Sequence, residues 1–455
     1  MIKTALTRLV NHQYHLQRYD VLQMFLLFTA TGPLQIANML FPAFNNIHPE
    51  WRCVGMPTAN NDSVITDRLN SNFSRDCSVL VNCTLGNGSQ SQLEIRSPYF
   101  TLTQDLELFC DRDAYLPVIG SLQMVGLCIG SLFMGTLSDR YGRKKITLIC
   151  GIGVSLFSTI STYLRTWYTI ATLRCVVMIF NGGLIVASQT LMIEALKPQQ
   201  RIIACALFWS SGYARFIYAM TTYFTGDWRN SIRIVNYSSL LALSAIFFFV
   251  QESVCWLKQR RRFNAADNAV RKISQLNGFE VCPIVSLLHT MNESNWASKT
   301  PSDSKSRPAT TISKPKLHTY TDLFSSRRLA FRAFLASVFY FTCAHLSYGF
   351  DMSSGNLAGN FFVNQTIIGL LAQFIKPAVL VIDVWPAFNR RLYHQLSLGA
   401  VTLLLFVIAI LYVVDSGSSV QIAITVAAII GRCILEYQWD AVMLYGTELF
   451  PTVIR

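Results

Sequence analysis

Two apolar runs, roughly residues 115–137 and 146–164, are each long enough to cross a bilayer, and only a short charged connection separates them. Few folds are open to such a chain, because a membrane core tolerates backbone only in helices or closed barrels. The connection runs from Gly135 through Asp139, Arg140, Gly142, Arg143, Lys144 and Lys145. Gly142 supplies the backbone freedom that a sharp reversal needs. The four cations should stay on the cytosolic side. Asp139 sits where a helix leaves the membrane, close enough to pair with one of them.

Apolar runs recur along the chain. In the first half they fall at about 21–44 (interrupted by Gly32 and Pro33), 168–194, 202–225 and 232–250. After a polar break they return at about 329–350, 361–384, 396–414 and 420–445. The pattern predicts an all-α membrane protein of about ten helices in two bundles, six and then four. Composition agrees, with 52% hydrophobic and only 14% charged residues. The formal charge of +13 would suit nucleic acid, but basic cytosolic loops give the same balance. The bilayer is therefore the expected partner and nucleic acid is not. Lys3, Arg8 and Arg18 precede the first run and should hold the N-terminus inside. The expected organisation is a cytosolic N-terminus (1–20), a six-helix bundle (21–250), a cytosolic loop (251–328) and a second bundle (329–455).

The polar insert 45–113 carries the sequons of Asn61, Asn72, Asn82 and Asn87. Four in one loop point to a glycosylated, extracytoplasmic segment. Cys53, Cys77, Cys83 and Cys110 share it, and an oxidising compartment would pair them as two disulfides, with three connectivities open. The twelve cysteines follow no C-x-x-C pattern, so no metal site is expected. There is no nucleophile–base spacing and no G-x-x-x-x-G-K-[ST] loop, which argues against an enzyme, an ATP-driven pump or a bound cofactor. In the break, the stretch through Leu276 has the period of an amphipathic helix, and 294–316 reads as a linker.

The halves echo each other. Glu194, Pro198 and Arg201 close the fourth run, and Glu448, Pro451 and Arg455 close the tenth, with acid and arginine seven residues apart in both. Repeated halves around a central site are a transporter architecture. On the repeat alone, two further helices are expected after Arg455: a fragment, a short splice form or an incomplete gene model is favoured over a ten-span design.

The order G-x-x-x-D-R-x-G-R-K-K resembles the signature loop of the major facilitator superfamily. Within it, the chain resembles the organic cation/anion transporter family. The similarity rests on Phe41 to Asn46, on Thr447 to Arg455, and on Glu252, Ser253, Trp256 and Leu257, which stand where that family has P-E-S-P-R-W-L. The resemblance implies a solute carrier of the plasma membrane that moves small organic cations, anions or zwitterions by alternating access. It also implies that Gly135, Asp139, Arg140, Gly142, Arg143, Glu194, Arg201, Glu252, Glu448 and Arg455 form a gating latch between span ends, paired in the outward-open state. The altered P-E-S-P-R-W-L and the ten-span count leave an alternative: a non-transporting relative acting in membrane interaction or regulation.

A charge within a span costs about 2.5–3.5 kcal/mol on the insertion scale and needs a reason. Arg174, Arg215, His345, Lys376, Arg432, Glu436 and Asp440 are such charges. Arg432, Glu436 and Asp440 follow at i, i+4 and i+8, on one helix face. Arg432 and Glu436 either neutralise each other or face substrate. Lys376 either disfavours cationic substrates or snorkels to the cytosolic interface. His345 reads as an interior histidine, and Arg174 and Arg215 as helix braces. Tyr213 and Tyr340 belong to an aromatic set able to stack on flat substrates, and with Arg174, Arg215, His345, Lys376, Arg432 and Glu436 they are the candidate residues of a substrate pathway. Oligomeric state is not legible.

Overall fold

The computed structural model describes residues 16–55, 73–77, 91–197, 200–201, 204, 211–278, 326–378, 390–414 and 417–449. Each of the ten expected spans has a helix among them. The first half contains α1 (Arg18–Met39), α2 (Tyr115–Tyr141), α3 (Arg143–Ser161), α4 (Trp167–Ala195), α5 (Ser211–Thr225) and α6 (Trp228–Phe249). Two short helices follow, α7 (Val254–Gln259) and α8 (Phe263–Asn277). The second half contains α9 (Arg327–Ser353), α10 (Phe361–Ile375), α11 (Arg390–Val414) and α12 (Ser418–Leu449). Among the described residues, seven segments qualify as spans by length and hydropathy, lying in α2, α3, α4, α6, α9, α11 and α12. Side chains such as Phe133, Phe224, Leu241, Phe248, Phe374 and Val413 are exposed on the outside, as lipid-facing residues would be.

The first run breaks earlier than expected. α1 continues through Pro33 but stops at Met39, and Phe41–Asn45 forms a separate helical turn with Pro42 at its start. Pro42 has no N–H to donate to the Asn38 carbonyl and its ring crowds that carbonyl, which accounts for the break. The insert is not purely polar either. Strands β1 (Glu50–Gly55) and β2 (Ser91–Arg96) pair antiparallel, with Glu50 opposite Arg96 and Gly55 opposite Ser91. Trp51, Tyr99, Leu102 and Leu108 are buried beneath this hairpin.

The insert is sewn to the helices. Tyr99 donates its hydroxyl to the Phe44 carbonyl at 2.5 Å, and Thr103 donates to the Asn45 carbonyl at 2.7 Å. Arg229 on α6 donates to Asp105 from Nε at 3.1 Å. Cys77 and Cys110 form a disulfide. The Cys53 side chain, Cys83, Asn61, Asn72, Asn82 and Asn87 lie outside the described residues.

On the opposite face, α8 follows the amphipathic reading. Ala266 and Ala269 pack on Trp256 and Leu257 of α7, and Gly278, in the left-handed region at φ +77°, ends the helix.

Two of the contacts between the halves are set by packing. At the hairpin face the rings of Phe44 and Phe361 meet edge-on at 5.0 Å, and Tyr99 approaches Phe362 at 5.5 Å. Deeper, α5 crosses α10 with backbone against backbone. A Cβ on Gly212 would lie 2.5 Å from the Gly369 carbonyl oxygen, and one on Gly369 2.8 Å from that of Gly212. Only glycine permits this approach. Gly369→Leu should therefore push the helices apart and destabilise the protein by about 1–3 kcal/mol, read as a lower thermal unfolding midpoint. An unchanged midpoint would show that the crossing tolerates bulk.

Candidate functional site

The Asp139 loop folds into a compact clasp. Gly142 ends α2 at φ +118°, a region L-residues avoid. A Cβ there would lie 2.5 Å from Glu252 Oε2, so the position is glycine on two counts. Arg143 pairs with Asp139 through Nη1, and with Glu194 through Nη2 at 3.2 Å. The other oxygen of Glu194 accepts from the Ser253 hydroxyl. Glu252 accepts from the Lys144 backbone amide at 2.9 Å, so its carboxylate caps the positive end of α3. Ser253 caps α7, which lets Trp256 Nε1 and Arg260 Nη2 donate to the Asp139 carbonyl at 2.8 and 2.7 Å.

Every described member of this clasp belongs to the first half or to α7 behind it, and it joins span ends within that half. Arg143, 7% exposed, spends both Nη atoms on two carboxylates of its own half. The clasp is also assembled while the hairpin-face contact of Phe44 and Phe361 is closed. Arg140 is not part of it; its guanidinium lies over the Tyr141 ring at 5.6 Å. Arg201 forms no ion pair with Glu194, which Arg143 holds instead. Gly135 sits half-buried within α2. Arg455 and the Glu448 side chain lie outside the described residues.

Between the halves lies a cavity of about 490 Å³. Gln35 on α1, Ser131 on α2, and Ser188 and Gln189 on α4 form an uncharged polar wall on the first half. The facing side carries charge: Arg215 on α5, Asp351 on α9, Lys376 after α10, and Arg432 and Glu436 on α12. Tyr340, Tyr348 and Trp439 add rings to the same lining.

These charges form one chain of contacts. Arg215 donates to Asp351 at 2.6 Å and to the Gln365 amide oxygen at 2.9 Å. The same Asp351 oxygen accepts from Arg432 Nε at 2.8 Å. Arg432 Nη1 reaches Glu436 at 2.7 Å, and Lys376 Nζ lies 3.7 Å from the other Glu436 oxygen. Ser211 donates its hydroxyl to Glu436. All five charged residues are at most 5% exposed. Arg432 and Glu436 thus neutralise each other and also line the cavity, and Lys376 is buried rather than snorkelling.

Three expected pathway residues are placed elsewhere. His345 is exposed on the outside of α9, its ring parallel to Phe341 at 6.0 Å. That face of the helix points away from the cavity, so the reading of an interior histidine is corrected. Arg174 is fully buried beside the hairpin-face core, stacked on the Phe41 ring at 3.5 Å and donating to Asn38 at 2.8 Å. Tyr213 packs on Phe28 at 4.6 Å. The Asp440 side chain lies outside the described residues. Asp351, the centre of the network, was missed because it follows the apolar run that ends at Phe350 and reads as the first loop residue.

The model of the Major Facilitator Superfamily matches residues 112–452. An uncharacterized Caenorhabditis elegans protein, F23F12.3, is 28% identical over 97% of this chain and 82% of its own. The mouse organic cation/carnitine transporter 2 is 26% identical over 78% of this chain, and the match spans 60% of that relative. The Drosophila melanogaster organic cation transporter protein is 25% identical over 79% of this chain and 63% of its own. The chain thus spans under two thirds of these two named relatives. The fold resembles the proton:xylose symporter XylE bound to 6-bromo-6-deoxy-D-glucose, with TM-score 0.57 at 15% identity over 94% of this chain and 83% of that one. A partially occluded inward-open form of XylE from E. coli gives 0.52 at 13% identity, over 94% and 86%. With three quarters of its length matched and two halves packed around a charged central cavity, this chain belongs to the major facilitator superfamily, a family of multi-pass membrane transporters.

Proposed function

We propose that the chain is a secondary or facilitative carrier of small organic ions, working by alternating access in the plasma membrane with its N-terminus in the cytosol. The observation that carries this reading is the cavity between the halves, walled by a buried ionic network on one side and neutral polar groups on the other. A solute-sized chamber with oriented charges and aromatic rings suits binding of small polar molecules. A transporter of this architecture is expected to hold substrate between its repeats. The relatives' names, organic cation and organic cation/carnitine transporter, favour organic ions as the substrate class.

The clasp has a role consistent with this reading. It fixes the Asp139-face ends of α2, α3, α4 and α7 as one rigid unit, against which the second half would move. Arg143→Gln would leave Asp139 and Glu194 without their common cation in a partly dry site. Because the Asp139 side chain is 61% exposed and screened by solvent, a cost of about 1–3 kcal/mol is expected, seen as a lower unfolding midpoint and reduced surface expression. A variant as stable as wild type would mean the clasp is solvated and weak.

Uptake tests the function directly. Cells making the protein should accumulate radiolabelled organic anions or cations saturably, and Asp351→Asn should abolish uptake while the protein still reaches the surface. A surface-localised protein that takes up nothing from a broad panel would favour the membrane-interaction role. Orientation has its own measurement: Asn72, Asn82 and Asn87 should carry glycans, so glycosidase treatment should increase gel mobility. A band that does not move would place the hairpin face inside.

A further inference from the structure

The ionic network treats an arriving anion and an arriving cation differently. Asp351 is held twice, by Arg215 from the first half and by Arg432 from the second. If a carboxylate from outside takes Arg215, Asp351 keeps Arg432, and no charge is left buried alone. If an outside ammonium takes Asp351, Arg432 keeps Glu436, but Arg215 is left with the neutral Gln365 amide and no carboxylate. Glu436 is no easier to recruit, since Arg432, Lys376 and Ser211 already converge on it. Stranding a buried charge is strongly destabilising, so only the first exchange is cheap. The Arg215 guanidinium is also the better receptor. It lines the cavity, and its two Nη atoms form the fork that carboxylates accept.

The same exchange has a mechanical result. The Arg215–Asp351 pair crosses from α5 to α9, and so from one half to the other. Its loss leaves the glycine crossing of α5 on α10 and the aromatic contact at the hairpin face, besides hydrogen bonds from the Ser211 hydroxyl to Glu436 and from the Tyr213 amide to Gln373, as inter-half contacts. The first is a narrow pivot and the second is non-polar and separable.

We propose that the substrate is an organic anion or zwitterion bearing a carboxylate, and that this carboxylate displaces Asp351 from Arg215 and thereby unties the two halves. The proposal rests on the carrier reading above and narrows its substrate class. The hydrocarbon or aromatic body of the substrate lies against Tyr340, Tyr348 and Trp439 in the same chamber.

The test uses the full chain purified into lipid nanodiscs, with fluorophores placed as non-canonical residues at Phe224 and Val363. Both positions are exposed and lie near the hairpin-face ends of α5 and α10, away from the network. The probes are sodium phenylacetate and phenethylammonium chloride, similar in shape and opposite in charge. Phenylacetate should lengthen the distance between the fluorophores and phenethylammonium should not. Asp351→Asn should lengthen it without any probe, with the closed population falling at least about fivefold. A distance unmoved by phenylacetate, or moved equally by phenethylammonium, overturns the proposal. So does an Asp351→Asn protein as closed as wild type. The wild-type arm needs no folded variant. Uptake of both probes into proteoliposomes separates the two readings. Saturable phenylacetate uptake with no change in distance would sink the lock and leave the carrier. Distance changes without uptake of either probe would keep the lock and sink the carrier.

Discussion

A carboxylate shared by two guanidiniums in a dry chamber is the constraint to which the central helices of this protein answer. Each of these charges would be costly in lipid or in an apolar core alone. Together they are tolerable, and only if α5, α9 and α12 bring Arg215, Asp351 and Arg432 within hydrogen-bond distance at once. The glycine pair at the α5–α10 crossing follows from the same demand. With side chains there, α5 would stand off from the second half, and Arg215 would not reach both Asp351 and Gln365. The network therefore specifies the docking of the halves more than it strengthens it. An apolar substitute of similar volume would serve stability as well, but would define no position and offer no partner to exchange.

The clasp at the Asp139 face uses the same chemistry for a different end. Arg143 is held by Asp139 and Glu194, and the helix end beside it is capped by Glu252. All of these groups move together. In the central network the cation from one half depends on a carboxylate from the other. Breaking the first loosens a bundle, whereas breaking the second frees one bundle from its neighbour. On the carrier reading proposed above, motion between the halves would be governed at the chamber wall rather than at the charged loop that dominates the sequence.

Much of this was legible in the residues and some was not, for physical reasons. Helix number and order follow from apolar run lengths, which the bilayer sets almost directly. The Asp139 loop was legible because a charged turn with a required glycine leaves a local pattern. The partners in it were only half legible. Arg140 and Arg143 look alike in the sequence, and only the turn at Gly142 decides that Arg143 points inward while Arg140 lies on Tyr141. Asp351 was hidden by its neighbours, since an acid just past an apolar run looks like any loop acid. His345 failed in the opposite sense. A histidine in an apolar run attracts a functional reading, but helix phase turns it outward, in step with the exposed Phe341. The hairpin went unread because Trp51 and Tyr99 are isolated apolar residues whose burial depends on partners far along the chain.

Arg174 shows what the central network would be without its carboxylate. It too is fully buried, yet its hydrogen bond goes to the amide of Asn38 and its face lies on Phe41, with Ser158 donating to the same amide oxygen. An amide and a ring stabilise a guanidinium without neutralising it, and Arg174 lies outside the cavity lining, where an incoming anion would not meet it. Arg174 is therefore suited to hold α4 against α1 through every state of the molecule. Arg215 is suited to change partners. The difference between a brace and a switch is here the difference between an amide and an acid at the far end of one hydrogen bond.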